Sequence, residues 1–366
     1  MHVLLALPGL HRVRRGAEVA FESLAQEIAL EGKHEVTLIG SGQPRSGCAY
    51  DFRHIPVISR DQFERWPKLP FLRNECMYEE LTFAAGVTFS HYFDTADITV
   101  TCGYPYTNWA LRRFRPGKRR PPHVFVTQNG DWPATKRRWE PMFFSCDGLI
   151  CTNPLYFERN RERWFSTLIP NGIDPNRFHP GPSNRRKFAL PMDRPIILMV
   201  SALESGKRVL EAIRAVSAVK DAFLIVAGDG ALRTQVDHLA AELLPGRFMR
   251  NSFAHGEMPE LYRSADLFLH TSRCESFGNV YIEALSSGVP IVAHENQITR
   301  WILGNYAILV DTRSEEELSK AIENALWSPR SEAKQTAQWA HSNYSWSIVA
   351  RRYIEFFEQV VVRNSA

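Results

Sequence analysis

Short runs of Val, Ile, Leu and Phe alternate with amphipathic stretches of helix length along nearly the whole chain, and this rhythm limits the fold more than any other feature. Strands of a parallel sheet are covered by helices on both faces, so they read as continuous apolar runs. In the first half the expected strands are 2–7, 35–39, 98–101, 123–127 and 149–151. Beyond Pro195 they are 196–200, 223–227, 248–251, 267–270, 290–293 and 308–310. Strands recurring roughly every twenty residues have the spacing of a doubly wound domain. The expected fold class is α/β.

A chain of 366 residues outgrows one hydrophobic core, and about 150 residues per domain gives two units. Pro170, Pro175, Pro180, Pro182, Pro191 and Pro195 crowd into one aperiodic span, which reads as the linker between halves. The expected domains are 1–175 and 176–345. Residues 346–366 remain as a terminal helix, in which Ile348, Val349, Tyr353, Phe356, Phe357 and Val360 fall at helical spacing.

Apolar runs such as 3–7 and 196–200 are far short of the ~20 residues that cross a bilayer. The first run has no basic residue before it and stops at Pro8-Gly9, so a buried strand fits it better than a secretory signal. The six cysteines never form C-x-x-C, which indicates neither a zinc site nor a disulfide scaffold and points to a reducing cytoplasm. A net charge of +4 is too small to argue for nucleic acid. Yet nine Lys/Arg face two acids between residues 98 and 140. This segment, with Arg112–Arg120 at its centre, reads either as a solvated loop or as a peripheral contact with an anionic membrane surface or lipid-linked substrate.

The densest local signal is Glu275-Ser-Phe-Gly-Asn-Val-Tyr-Ile-Glu283, followed by Gly288-Val-Pro290 and an apolar strand. It comes just after the expected strand 267–270, so a helix should open near Phe277–Gly278 with its positive end at the carboxyl edge of a sheet. That is an anion site. Glu275 before the helix and Glu283 within it would stand about 12 Å apart, too far to share a proton and suited to gripping two ends of one ligand. Carboxylates accept hydrogen bonds from vicinal diols, so one can hold a sugar and the other a ribose, with a diphosphate between. The competing reading is a solvated Glu275 and a Glu283 on a helix surface.

E-x7-E, the following G-V-P-I-V, the earlier A-G-D-G of 227–230 and P-N-G-I-D-P-N-R-F-H-P of 170–180 together resemble the family-4 retaining glycosyltransferases. The likeness runs from Pro170 to about Val310 and continues more weakly at the N-terminus. It implies the GT-B architecture: two Rossmann-like doubly wound domains facing across a cleft, with the C-terminal helix crossing back to the N-domain. It also implies a nucleotide-sugar donor, with Glu275 on sugar hydroxyls and Glu283 on the ribose. The backbone amides of Phe277, Gly278 and Asn279 resemble the family's phosphate contacts, with Ser276 beside them among the donor-binding residues. Asn279 is read either as a diphosphate ligand or as a helix cap. Base recognition would fall to backbone groups of Ser252, Phe253 and Ala254.

Three positions depart from the family pattern. Where members commonly read G-R-L-x-x-x-K, this chain has Ala202 in the Arg position and keeps Lys207, so Arg208 is a candidate replacement cation. The G-G-x-E loop reads Arg15-Gly16-Ala17-Glu18, which keeps one glycine and adds a cation. In the segment resembling T-x-H-G, Asn129 stands at the His position, where it can hydrogen-bond the donor sugar but cannot titrate.

No two Asp residues lie two positions apart, and His and Cys lack ligand spacing, so no metal and no cofactor beyond the nucleotide-sugar co-substrate is expected. Leaving-group charge would rest on Lys207, the helix N-terminus and Arg15 or Arg208. Retention with no assignable nucleophile implies, from the family, that the departing phosphate oxygen deprotonates the acceptor on the same face. The expected reaction moves glucose from UDP-glucose to a hydroxyl of a saccharide or lipid-linked saccharide. The competing readings are a degenerate nucleotide-sugar-binding protein and a nucleotide-sugar epimerase. A dinucleotide oxidoreductase would need a G-x-G-x-x-G turn that Gly228-Asp-Gly230 does not complete. Aromatics of 63–93, namely Trp66, Phe71, Tyr78, Phe83, Phe89, Tyr92 and Phe93, are expected mostly in the core, the remainder forming an acceptor platform.

Overall fold

The computed structural model describes residues 1–60, 75–92, 94–113, 120–134, 143–327 and 333–365. The chain forms two compact units, Met1–Gly172 with Trp346–Ala366, and Ile173–Ser345.

The first unit is built on seven parallel strands: β1 (His2–Ala6), β2 (Glu35–Gly40), β3 (Asp51–His54), β4 (Ile98–Thr101), β5 (His123–Val126), β6 (Gly148–Cys151) and β7 (Ser166–Leu168). Their order is β3-β2-β1-β4-β5-β6-β7. β1 is an interior strand with Val3–Ala6 all buried, and it pairs Val3 with Val36 on one edge and with Ile98 on the other. Helices α1 (Gly16–Leu30), α2 (Glu75–Phe89), α3 (Tyr106–Leu111) and α4 (Pro154–Asn160) make the crossovers. α1 buries Phe21, Leu24, Ala25 and Ile28 at i, i+3, i+4, i+7 spacing. β3 and β7 escape detection as strands in the sequence. Asp-Phe-Arg-His is a polar edge strand and Ser-Thr-Leu is three residues long, so neither presents an apolar run.

The second unit has six parallel strands: β8 (Ile196–Val200), β9 (Phe223–Ala227), β10 (Phe248–Asn251), β11 (Leu267–His270), β12 (Ile291–His294) and β13 (Ile308–Val310). Their order is β10-β9-β8-β11-β12-β13, the same doubly wound pattern. The strand positions agree with the apolar runs to within a residue. Helices α5 (Val209–Ser217), α6 (Arg233–Leu243), α7 (Met258–Ser264), α8 (Asn279–Ser286), α9 (Gln297–Leu303), α10 (Glu315–Trp327) and α11 (Ala333–Tyr344) flank the sheet.

The proline-rich span is not a free linker. Phe178, Phe188 and Leu190 are buried in the second unit's core, and the Arg185 guanidinium pairs with Asp266 at 2.5 Å. Prolines mark this span because they fix an irregular path, whereas its buried aromatics are too sparse to register as an element. The last helix, α12 (Trp346–Ser365), belongs to the first unit, where Val349, Tyr353, Phe356, Phe357 and Val360 share a core with α1.

Candidate active site

In the second unit, three segments converge at the carboxyl edge of the sheet. After β8, Ser205–Lys207 make a single tight turn, and Arg208 takes a left-handed conformation (φ 58°) at the start of α5. The Thr271 hydroxyl, just beyond β11, donates to the carbonyls of Lys207 (3.0 Å) and Arg208 (2.9 Å), one after the other or shared. Thr271 therefore sets where the Lys207 side chain starts. A-G-D-G lies against the same turn: a Cβ on Gly228 would sit 1.9 Å from the Ser201 carbonyl oxygen. Only glycine allows that approach.

The Lys207 ammonium reaches Glu275 Oε1 at 2.6 Å, and the His270 ring bonds the same oxygen through Nε2 at 3.0 Å. Against a carboxylate, Nε2 must carry the proton. Burial pushes the Glu275 carboxyl up, but the His270 hydrogen bond and the Lys207 ammonium outweigh it and hold the group at about 2. Glu275 is thus an anion fixed between two donors, not the solvated side chain of the competing reading. His270 is a functional candidate that the sequence reading did not single out. The only signal was a polar residue closing the apolar run Leu267–His270, five positions before Glu275.

The helix after Glu275 opens at Asn279, slightly later than expected. Gly278 is its N-cap, in the left-handed region (φ 82°), where a Cβ would stand 2.7 Å from the Tyr281 ring. The capping role considered for Asn279 therefore passes to Gly278; Asn279 is the first helical residue. Gly278 itself has no side chain with which to cap α8, and the backbone N–H groups and positive end of a helix suit an anion. Phe277 buries its ring with Trp301 and Tyr344, which leaves only its backbone for a ligand. Glu283 is half-buried on α8 rather than on an open helix surface, and accepts a 2.8 Å bond from the Tyr262 hydroxyl; burial raises its pKa. The Tyr262 contact spans 21 positions and had no sequence signal.

Two other donor-side candidates are occupied within the fold. Arg208 bonds the Thr312 carbonyl at 3.4 Å and lies 3.4 Å from Glu211. Phe253 packs edge-on against Phe188, leaving the backbone of its loop as the possible ligand contact.

In the first unit, Gly16 is exposed as the first residue of α1. Arg15 precedes it and binds Glu18 Oε1 through Nε (3.0 Å) and a terminal nitrogen (2.6 Å). Asn129 ends a short turn after β5, is exposed, and contacts Cys102 Sγ at 3.5 Å. Tyr78 and Phe83 are core residues, while Phe89 (83% exposed) and Tyr92 (38%) are not. Trp66, Phe71, Phe93 and most of the basic segment, including Arg115, Lys118 and Arg119, lie outside the described residues. At that segment's ends Arg112 bonds the Asn108 side chain, and Arg120 is bidentate on Asp147 at 2.8 and 3.0 Å. Among the described residues no helix is long and apolar enough to cross a membrane, and no group of three or more His, Cys, Asp or Glu is arranged to hold a metal ion.

Comparison with known proteins bears on the second unit first. Residues 182–343 match the sequence model of the family described as glycosyl transferases group 1. The match supports a glycosyltransferase. Among curated relatives, the lipopolysaccharide core biosynthesis glycosyltransferase LpsE of Rhizobium meliloti is 26% identical over 54% of this chain and 58% of its own length. A GDP-mannose-dependent alpha-(1-6)-phosphatidylinositol monomannoside mannosyltransferase of Mycolicibacterium smegmatis is 28% identical over 51% of this chain and 54% of its own. The chain thus spans little more than half the length of these relatives. Among solved structures, sucrose-phosphate synthase of Thermosynechococcus elongatus superposes with a TM-score of 0.80 at 18% identity, covering 99% of both chains. HepE of Anabaena, solved with UDP-glucose, gives 0.75 at 15% identity, covering 98% of this chain and 100% of that one. Two parallel-sheet Rossmann-like domains and neighbours of this kind give the fold as GT-B.

Proposed function

We propose that the chain is a retaining hexosyltransferase that takes glucose from UDP-glucose, without a metal ion, and delivers it to a hydroxyl of a saccharide or lipid-linked saccharide. One observation carries the reading: Glu275, fixed as an anion by Lys207 and His270, stands four residues before a helix that opens on a left-handed glycine N-cap, Gly278. In the reaction, Glu275 accepts hydrogen bonds from donor-sugar hydroxyls, and Glu283, aligned by Tyr262, accepts them from the ribose. The diphosphate lies on the amides of Phe277, Gly278 and Asn279, with Ser276 adjoining, and draws the Lys207 ammonium toward it. As the anomeric bond breaks, charge develops on the leaving phosphate, and Lys207 and the helix end stabilise it. The same phosphate oxygen accepts the acceptor's hydroxyl proton, so retention needs no protein nucleophile. Arg15, Gly16 and Asn129 are the residues assigned to the donor from the first unit, and the loop carrying Phe253 to the base. Peripheral membrane contact through Arg112–Arg120 belongs to the same proposal.

The support for UDP-glucose is the likeness to HepE, solved with that nucleotide sugar, while the mannosyltransferase of Mycolicibacterium smegmatis is GDP-mannose-dependent. A nucleotide-sugar-binding protein without turnover is the second reading. Ala202 lacks the family's second cation, and Arg208 is engaged by Thr312 and Glu211.

The test is a hydrolysis and transfer screen over UDP-glucose, UDP-N-acetylglucosamine and GDP-mannose, with and without EDTA. UDP release from UDP-glucose that is unchanged by EDTA is expected. Lys207→Ala and Glu275→Ala should each lower turnover by on the order of 10²-fold. Near-normal turnover in either variant removes the assignment, and loss of activity in EDTA removes metal independence.

A further inference from the structure

In the second unit a chain of hydrogen bonds begins at a titratable ring and ends on the turn that carries Lys207. His294 closes β12 and is half-buried; its Nδ1 lies 3.3 Å from the Thr312 backbone nitrogen and 3.1 Å from the Thr312 hydroxyl oxygen. Thr312, just beyond β13, is 1% exposed. Its hydroxyl also reaches the Thr271 carbonyl at 3.3 Å, and its own carbonyl accepts from the Arg208 guanidinium. The Thr271 hydroxyl in turn holds the carbonyls of Lys207 and Arg208. A backbone N–H can only donate, so Nδ1 must present its lone pair to Thr312, and the proton of the ring sits on Nε2. The Thr312 hydroxyl proton is then available to the Thr271 carbonyl.

The Lys207 turn depends on such outside support. Arg208, which closes it, is left-handed (φ 58°), a conformation that residues with a Cβ rarely adopt and that persists only where the surroundings hold it. The Arg208 side chain is loosely held: its contacts to Thr312 and Glu211 are both 3.4 Å, and its buried Nε has no partner among the described residues. Protonation of His294 at Nδ1 would set N–H against the Thr312 N–H, cancel that bond and put a positive charge beside Arg208. Among the described residues the charges acting on the ring are Asp311 and Arg313 after β13, Arg273 after β11 and Arg208 before α5. Asp311 is paired with Arg313, and the neighbouring Glu295 with Arg300. α10, which packs against β12 and β13, opens with the exposed Glu315, Glu316 and Glu317. Burial lowers the His294 pKa from the ordinary 6.5, and the three arginines act in the same direction against Asp311. The neutral, accepting ring is therefore the form present at neutral pH.

We propose that His294 is a positioning residue for Lys207: its neutral ring, acting through Thr312 and Thr271, keeps the turn that aims the ammonium at the diphosphate, and its protonation releases that turn. This deepens the proposed function by naming a proton as the regulator of the leaving-group cation, and it rests on that reading. His294 itself touches neither donor nor acceptor in this scheme.

The full chain is compared at about pH 7.5 and about pH 5.0. Hydrogen exchange, corrected for the intrinsic rate at each pH, reads the relay without ligand or turnover. In wild type, exchange in 204–212 and 311–314 should rise together by about fivefold or more at the lower pH. In His294→Asn, whose Oδ1 offers an acceptor in the place of Nδ1 but takes no proton in this range, it should not. With the donor that the screen identifies, the ratio of His294→Asn to wild-type kcat should rise about tenfold between the two pH values. Any loss from Glu283, whose pKa burial raises, is common to both proteins and leaves that ratio unchanged. His294→Leu, which offers no acceptor, should lose about tenfold in kcat at pH 7.5 with a smaller change in KM. Exchange that ignores pH in wild type, or responds equally in His294→Asn, overturns the proposal, as does a constant kcat ratio or a His294→Leu variant with wild-type kcat. Circular dichroism establishes that the variants are folded; if they are not, the joint response of the two segments in wild type decides. If the chain turns over no nucleotide sugar, the proposed function fails, and the exchange experiment alone upholds or overturns the relay.

Discussion

Glu275 shows how a single side chain is given its state by its neighbours. Its carboxyl is 14% exposed, a setting that alone would favour the neutral acid. Two donors reverse that preference, and the pKa falls from the ordinary 4.5 to about 2. Because the folded value lies below the unfolded one, the stabilisation is complete above about pH 4.5 and is lost as pH falls toward 2. A shift of this size corresponds to on the order of 3 kcal/mol. In the unliganded protein, urea midpoints measured from pH 6 to pH 2.5 should therefore fall more steeply for wild type than for Glu275→Gln. Parallel curves would show that the contacts to Lys207 and His270 do not hold the charge. E-x7-E was legible because two glutamates at fixed spacing stand in one stretch of chain. His270 and Tyr262 were not legible, because a polar residue at a strand end and a tyrosine in a helix carry no message until folding sets them beside Glu275 and Glu283.

At the scale of elements, sequence legibility followed burial on both faces. The strands of the second unit other than β10 (Phe-Met-Arg-Asn) are mostly apolar and were readable, and β10 was placed as well, whereas β3 and β7 were lost because a polar or very short strand has no such run. α12 was readable from its period, and its return to the N-domain was expected from the family resemblance, but the helix it meets there was not. Its apolar stripe packs with α1, more than three hundred positions away in sequence. Phe357 sits fully buried in that contact and Val362 is 70% exposed. Phe357→Ala should cost about 3–5 kcal/mol in urea unfolding, and Val362→Ala less than about 0.5 kcal/mol. Similar costs at the two sites would mean that α12 does not dock as described.

Across the whole molecule, each unit has its own sheet and core, and the residues proposed to hold the donor in the second unit come from segments spread over 201–283. UDP binding should therefore protect several separated segments together. Hydrogen exchange with saturating UDP is expected to slow at 201–208, 251–254 and 271–283, by an amount that follows the ratio of ligand concentration to Kd. Protection confined to one segment, or absent from 271–283, would contradict the proposed donor site.

The amino-acid sequence by itself determined the α/β class and the doubly wound rhythm, because strands buried on both faces must be written as apolar runs. It also carried the turn at Gly278 that opens α8, because backbone geometry is local. Tertiary structure alone decided what these parts meet. The proline-rich span becomes part of a core, Lys207 and His270 reach the same carboxylate oxygen, and His294 is joined through Thr312 and Thr271 to the Lys207 turn. Charges and hydrogen bonds act over a few ångströms in space, a distance on which separation along the chain has no bearing.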